Sequence, residues 1–155
     1  MLQTTLCYLS QNGKTLMLHR VKKKNDVNHD KWIGIGGKFE HGESPEECML
    51  REFKEETNLC LTSWKYRGIV TFVSDTWCEY MHLFTADAYE GVMKECEEGT
   101  LEWVATNKLT TLPIWEGDKV FLSLLEGRET FFSLKLIYEG EKLTGVILDG
   151  KALEA

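Results

Sequence analysis

Apolar and polar residues along this chain trade places in short blocks, which predict strands toward both ends and one amphipathic helix early on. Thr4 to Ser10 and Thr15 to Arg20 are apolar-rich stretches flanking Gln11-Asn12-Gly13-Lys14, and Asn-Gly between two such runs predicts an opening β-hairpin. Trp64 to Val73 and Tyr80 to Tyr89 carry bulky residues in strand fashion around a Ser74-Asp75-Thr76 turn, and Leu101 to Val104 reads as a further short strand. Val120, Phe121, Leu124 and Leu125 fall at helical spacing, with Gly127 as the stop. Thr130 to Tyr138 and Thr144 to Leu148, around Glu139-Gly140-Glu141-Lys142, predict a closing hairpin. The end from Asp149 is expected to fray.

The early helix carries explicit end signals. Ser44 can cap it, Pro45 suits the first helical position, and Glu47 closes a capping box. Asn58 tolerates the left-handed conformation needed just past the last turn. Cys48, Met49 and Phe53 give this Pro45-to-Asn58 segment an apolar side.

Composition narrows the setting. The 155 residues are the size of one domain, 1–155, and with 43% hydrophobic residues they suffice to bury a core. No secretory signal and no membrane-length apolar run is present, so a soluble cytoplasmic protein is expected. Five scattered cysteines without a Cys-x-x-Cys pair argue against a disulfide framework or structural zinc site, and Cys48 and Cys60 read as core packing. A formal net charge of -7 opposes binding to nucleic-acid polymers or anionic membranes, but not to a small phosphorylated molecule arriving with its own magnesium. The basic run Lys22-Lys23-Lys24 and the polar stretch after it read as a solvated loop, and His82 as a sheet residue rather than a base.

The candidate chemistry lies on the early helix. Glu52, Glu55 and Glu56 are spaced i, i+3 and i+4, so they project from neighbouring points on one face. Carboxylates crowded near a core boundary must protonate, pair with cations or bind a metal, and oxygen-only ligands favour magnesium or manganese. The alternative is a solvated acidic helix. Just upstream, Gly36 and Gly37 allow close backbone approach, and Lys38 sits where a phosphate oxygen can be met.

Gly37, Glu43, Arg51-Glu52-Phe53, Glu55-Glu56 and Leu59 match the Nudix box, G-x5-E-x7-R-E-U-x-E-E-x-G-U, over residues 37–59, with Asn58 replacing the late glycine. The chain therefore resembles the Nudix hydrolases. Trp32-Ile33-Gly34-Ile35-Gly36-Gly37-Lys38 is similar to the segment leading into the box in the MutT-like nucleotide hydrolases of that family. The resemblance implies an α/β (α+β) Nudix fold, a mixed sheet sandwiched between helices. It implies Mg2+, with Mn2+ as substitute, held by Glu52, Glu55, Glu56 and the Gly37 carbonyl. Glu43 and Arg51 would brace the loop against the helix. Glu98, from the acidic run Glu95, Glu97 and Glu98, matches a glutamate that reaches across to the metal in MutT-like enzymes; taken alone, the run reads as a solvated loop. Glu55 or Glu98 would position or deprotonate the attacking water, and Lys38 and Arg20 would hold phosphate oxygens.

Thr110 to Asp118 resembles the purine-recognition region of the oxidised-purine nucleoside triphosphatases. Trp115 and Asp118 match, Gly117 stands where mammalian relatives carry another acid, and Ile33 replaces a base-contacting asparagine. By themselves Trp115 reads as core packing and Asp118 as a helix cap. The resemblance implies hydrolysis of a nucleoside triphosphate such as 8-oxo-dGTP to monophosphate and pyrophosphate, the chain acting as a monomer or homodimer on a small-molecule nucleotide. The alternatives are ADP-ribose, a dinucleoside polyphosphate or an unmodified nucleotide as substrate, or a regulatory module that binds a nucleotide without turnover.

Overall fold

A computed structural model of the chain describes residues 1–22 and 25–153. Lys23 and Lys24 of the basic run lie outside the described residues. The opening hairpin is β1 (Leu2–Gln11) and β2 (Lys14–His19), and Asn12 and Gly13 both adopt positive φ (53° and 75°), as a tight hairpin turn demands. Then follow β3 (Trp32–Ile33), β4 (Ile35–Lys38), α1 (Pro45–Thr57), β5 (Cys60–Val73), β6 (Cys78–Glu90) and β7 (Thr100–Ala105). A short 3-10 helix (Thr106–Thr111), α2 (Glu116–Gly127), β8 (Phe132–Glu139), β9 (Lys142–Leu148) and β10 (Lys151–Leu153) complete the described chain.

The fold is a mixed α+β arrangement in which the strands run β10-β9-β8-β5-β6-β1-β2-β3, with β4 added to β1 and β7 to β2. β1 pairs parallel with β6 and antiparallel with β4, and β5 pairs parallel with β8. Six consecutive β1 residues from Thr4 are buried because the strand is covered on both faces. Its side chains alternate between two cores. Leu6 and Tyr8 join the cluster under α2 with Phe121, Leu134 and Leu136, while Cys7 and Leu9 join the cluster under α1 with Met49, Phe53 and Phe84. Helices thus pack on opposite faces of β1, and β4, paired beside that strand, also packs against the acidic helix.

Asp149 to Leu153 do not fray, because Asp149 and Gly150, with φ of 50° and 83°, turn the chain so that β10 pairs antiparallel with β9; Glu154 and Ala155 lie outside the described residues. Asp-Gly is a hairpin signal like Asn12-Gly13, and Asp149 is further tied by its N–H to the Ser133 carbonyl at 2.7 Å and by Arg128 at 2.7 Å. Cys60 is exposed at the start of β5, while Cys7, Cys48 and Cys96 are buried; all five thiols are free. β5 begins well before Trp64, but register shifts between Leu61 and Gly68 break the alternation that marks a strand in sequence.

Gly36 sits where β4 crosses Leu6 of β1, and a Cβ there would overlap the Thr5 carbonyl. Gly36→Ala should therefore force the strands apart and destabilise the protein by at least about 2 kcal/mol in urea unfolding.

Candidate active site

Ser44 accepts the Glu47 N–H at 3.1 Å while the Glu47 carboxylate accepts the Ser44 N–H at 3.0 Å, so α1 starts where its capping box dictates. At the other end Asn58 takes φ 67° and returns its N–H to the Lys54 carbonyl. Cys48, Met49, Phe53 and Thr57 are the buried face, which fixes the rotation of the helix and turns Glu52 toward β4. A Cβ on Gly37 would collide with the Glu52 carboxylate; only glycine lets that carboxylate come so close to the strand.

Arg51 organises the surrounding acids. Its Nε–H and Nη2–H donate to the two oxygens of Glu43 at 2.7 and 2.9 Å, a bidentate pair, and Nη2 also donates to the Lys38 carbonyl at 2.9 Å. Nη1 donates to Glu52 at 2.8 Å and to Glu55 at 3.2 Å. The hydrogen bonds from Arg51 hold the Glu43 carboxyl below the usual carboxylate range.

Glu52 and Glu56 behave in the opposite way. Burial, with the nearby charges of Glu55 and Glu98, raises Glu52 despite Arg51. Burial, then the charges of Glu98 and Glu52, pushes Glu56 up to about 8. Glu56 Oε2 is buried and has no hydrogen-bond partner. Glu98 enters from the segment before β7, accepting from Arg20 Nη1 at 3.0 Å, while Glu95 and Glu97 lie exposed. Glu55 remains largely in solvent on the Arg51 flank. Among the described residues, no three His, Cys, Asp or Glu side chains already converge closely enough to ligate an ion. Lys38 is exposed at the end of β4; Arg20 instead is largely buried and committed to Asp26 at 2.7 Å and to Glu98.

A second feature is a cavity of about 590 Å³ lined by Ile33, Phe72, Trp77, Met81, Trp115 and Asp118 among others. Trp115 caps α2 through its backbone; its ring meets Tyr138 edge-on at 5.9 Å, its Nε1–H donates to Asn28 Oδ1 at 2.7 Å, and Lys31 Nζ lies 5.0 Å from the ring centroid. Asp118 is not a helix cap, since α2 has no side-chain cap, and it is buried beside the pocket. Burial raises its carboxyl to about 8, with Lys31 only partly offsetting the effect. Gly117 donates its N–H to the Tyr138 hydroxyl at 2.7 Å, and a Cβ at 117 would overlap that hydroxyl and Leu136, which leaves no room for a second acid. A larger cavity of about 860 Å³, lined by Ser63, Arg67, Thr85 and Thr106 among others, shares no residue with this pocket or with the acidic cluster. Ile33 and Gly37, on β3 and β4, tie the aromatic pocket to the acidic helix along about 13 Å of extended chain.

Sequence reading missed Asn28, Phe72, Trp77 and Met81 as pocket residues and Lys31 as a cation over the Trp115 ring, because they lie on separate elements and carry no shared spacing. His82 is a sheet residue, with its Nε2 at 2.8 Å from Gln3 Oε1 and its Nδ1 bonded to the Tyr66 hydroxyl.

The sequence profile described as the NUDIX domain matches residues 2–125. The chain belongs to the Nudix family. It is 31% identical over 131 residues to a Bacillus subtilis Nudix hydrolase, YvcI, covering 79% of this chain and 78% of that one. It is 30% identical over 129 residues to the oxidized purine nucleoside triphosphate hydrolase of Danio rerio, covering 82% and 81%. The crystal structure of the mutator MutT protein from Bacillus halodurans superposes with a TM-score of 0.86 at 27% identity, over 96% of this chain and 98% of that one. Nudix hydrolases generally use divalent metal ions, and this Nudix site fits one by its chemistry: an all-oxygen donor set, mutual repulsion between Glu52, Glu56 and Glu98, and an orphaned oxygen on Glu56. Among the described residues, no helix is long and apolar enough to cross a membrane.

Asp118 makes stability depend on pH. Its usual pKa of 3.8 rises to about 8 in the fold, so between those values the folded chain keeps a proton that the unfolded chain has released. Stability must then fall as pH rises through that window. Against wild type, Asp118→Asn should gain on the order of 1 kcal/mol per pH unit from pH 4 to 8 in denaturant unfolding. The comparison cancels the parallel contribution of Glu56.

Proposed function

We propose that this Nudix protein hydrolyses an oxidised purine nucleoside triphosphate, such as 8-oxo-dGTP, to the monophosphate and pyrophosphate, and so removes damaged nucleotides from the pool. The observation that carries the reading is Asp118, buried next to Trp115 on the pocket tied by β3 and β4 to the acidic helix. The similarity to a fish enzyme named for oxidised purines supports it.

Burial refines how the base is read. With its pKa near 8, Asp118 is a neutral acid at pH 7, able to donate through its hydroxyl and accept through its carbonyl oxygen. The 8-oxopurine edge offers an acceptor at O6 beside a donor at N7–H, which matches both functions. Guanine offers two acceptors there, so one oxygen of Asp118 would face a lone pair. Trp115 supplies the stacking surface, its plane set by Asn28 and Tyr138. Ile33 presents an apolar side chain to the same pocket.

At the other end Glu52, Glu55, Glu56, Glu98 and the Gly37 carbonyl would hold magnesium or manganese. Such an ion neutralises phosphate charge and acidifies water when bound. Lys38, exposed at the end of β4, meets phosphate oxygens. Glu43 and Arg51 keep the loop and helix in register, and Arg20 steadies Glu98 rather than touching phosphate. Glu98 or Glu55 orients the water and takes its proton as the water oxygen bonds to phosphorus and the bridging P–O bond breaks, releasing pyrophosphate.

Glu56→Gln should lower kcat by about 100-fold or more while the unfolding transition is retained, and EDTA should abolish turnover. In a panel of triphosphates and diphosphate conjugates ranked by kcat/KM, 8-oxo-dGTP should exceed dGTP by at least about tenfold, and Asp118→Ala should shrink that ratio toward one. Equal rates on the two nucleotides would rule out the specificity; binding of nucleotide with magnesium but no pyrophosphate release would rule out the hydrolase.

A further inference from the structure

Arg20, Asp26 and Asn28, between β2 and β3, carry a run of hydrogen bonds from the acidic cluster to the aromatic pocket. Arg20 donates Nη1–H to Glu98 Oε2 at 3.0 Å and Nε–H to Asp26 Oδ2 at 2.7 Å. The other Asp26 oxygen accepts the Asn28 backbone N–H at 3.1 Å, forming an Asx turn. Asn28 then accepts the Trp115 indole N–H at 2.7 Å.

The run is well shielded. The Arg20 and Asp26 side chains are 14% and 8% exposed, so their pair is not the water-screened surface contact that contributes little. Backbone bonds clamp the same turn: Asp30 N–H to the Arg20 carbonyl at 2.7 Å, Arg20 N–H to Lys31 at 3.0 Å, and His29 N–H to Asp26 at 2.9 Å. Next to it, Trp32 N–H donates to the Pro113 carbonyl at 2.9 Å, which docks β3 on the segment that carries Trp115.

We propose that Asp26 and Asn28 are positioning residues for the nucleotide reaction, Asp26 holding Arg20 and hence Glu98 at the acidic cluster, and Asn28 fixing the Trp115 ring at the base pocket. The proposal rests on the roles given above to Glu98 and Trp115. Its physical basis is that a stacking ring must lose its rotation before the base arrives, and a carboxylate facing the phosphates must keep its place among like charges. Asp26 meets both needs, because one of its oxygens accepts from Arg20 and the other from Asn28. A turn that merely stabilised the fold would affect both ends only through overall stability.

The test needs no nucleotide for its primary readout. In the metal-free protein, the Trp115 indole N–H resonance is assigned by its loss in Trp115→Phe. Asn28→Ala should shift that resonance and speed its hydrogen exchange by about tenfold or more, while Asn28→Asp, which keeps the acceptor oxygen, should restore it. Asp26→Asn, which retains the turn but weakens the Arg20 pair, and Arg20→Lys should also move the Trp115 resonance and leave Trp64 unchanged. With magnesium and either 8-oxo-dGTP or dGTP, Asn28→Ala should raise KM about tenfold with kcat within about twofold, whereas Asp26→Asn should lower kcat. A Trp115 resonance indifferent to Asp26→Asn and Arg20→Lys would overturn the proposal, as would equal loss in kcat and KM terms tracking the melting temperature in every variant. Failure of 8-oxo-dGTP as a substrate would remove the function proposed above and leave the resonance test intact.

Discussion

The site depends on Arg51. One guanidinium binds both oxygens of Glu43, one oxygen each of Glu52 and Glu55, and the Lys38 carbonyl, so the loop after β4 and the acidic helix are joined through a single planar cation. A lysine could not span these acceptors, since its ammonium has neither the fork geometry nor the number of directed donors. The arrangement sorts the acids. Glu43, bonded through both oxygens, is held below the usual carboxylate range, burial raises Glu52 despite its bond to Arg51, and Glu56 keeps a buried oxygen without partner and a pKa near 8.

Close approach is the second constraint. Gly36 lets β4 cross β1, and Gly37 lets Glu52 press against β4. With these two positions occupied by larger residues, α1 could not bring its carboxylates to the edge of the core, and the helix would be the solvated acidic segment that its composition alone suggests. The caps at Ser44 and Asn58 fix where the helix begins and ends; packing of Met49 and Phe53 fixes which way it faces.

The aromatic pocket is built on the opposite face of β1, in the core under α2. Leu6 of β1 and Ile33 of β3 reach it, while Gly36 and Gly37 of β4 lie beside Leu6 and Thr5 on the same strand. Strand alternation therefore lets one narrow region of the sheet serve a polar site and an apolar one. Arg20, Asp26 and Asn28 link the two again, through Glu98 and Trp115.

Features set by residues a few positions apart were legible in the amino-acid order: the capped helix, the Asn12-Gly13 hairpin, the closing hairpin and the spacing of Glu52, Glu55 and Glu56. Their physics is local, since turns, caps and helical faces depend on neighbours along the chain. The Asp149-Gly150 turn is equally local, since Asp-Gly carries the same hairpin signal as Asn12-Gly13. What lay opposite each residue was not legible. The raised pKa of Asp118 comes from burial by distant elements, the lack of room for any side chain at 117 from contact with Tyr138 and Leu136, and the commitment of Arg20 from Asp26 and Glu98. Charge state and hydrogen-bond partner are properties of an environment, and only the tertiary structure assembles that environment from segments far apart in sequence.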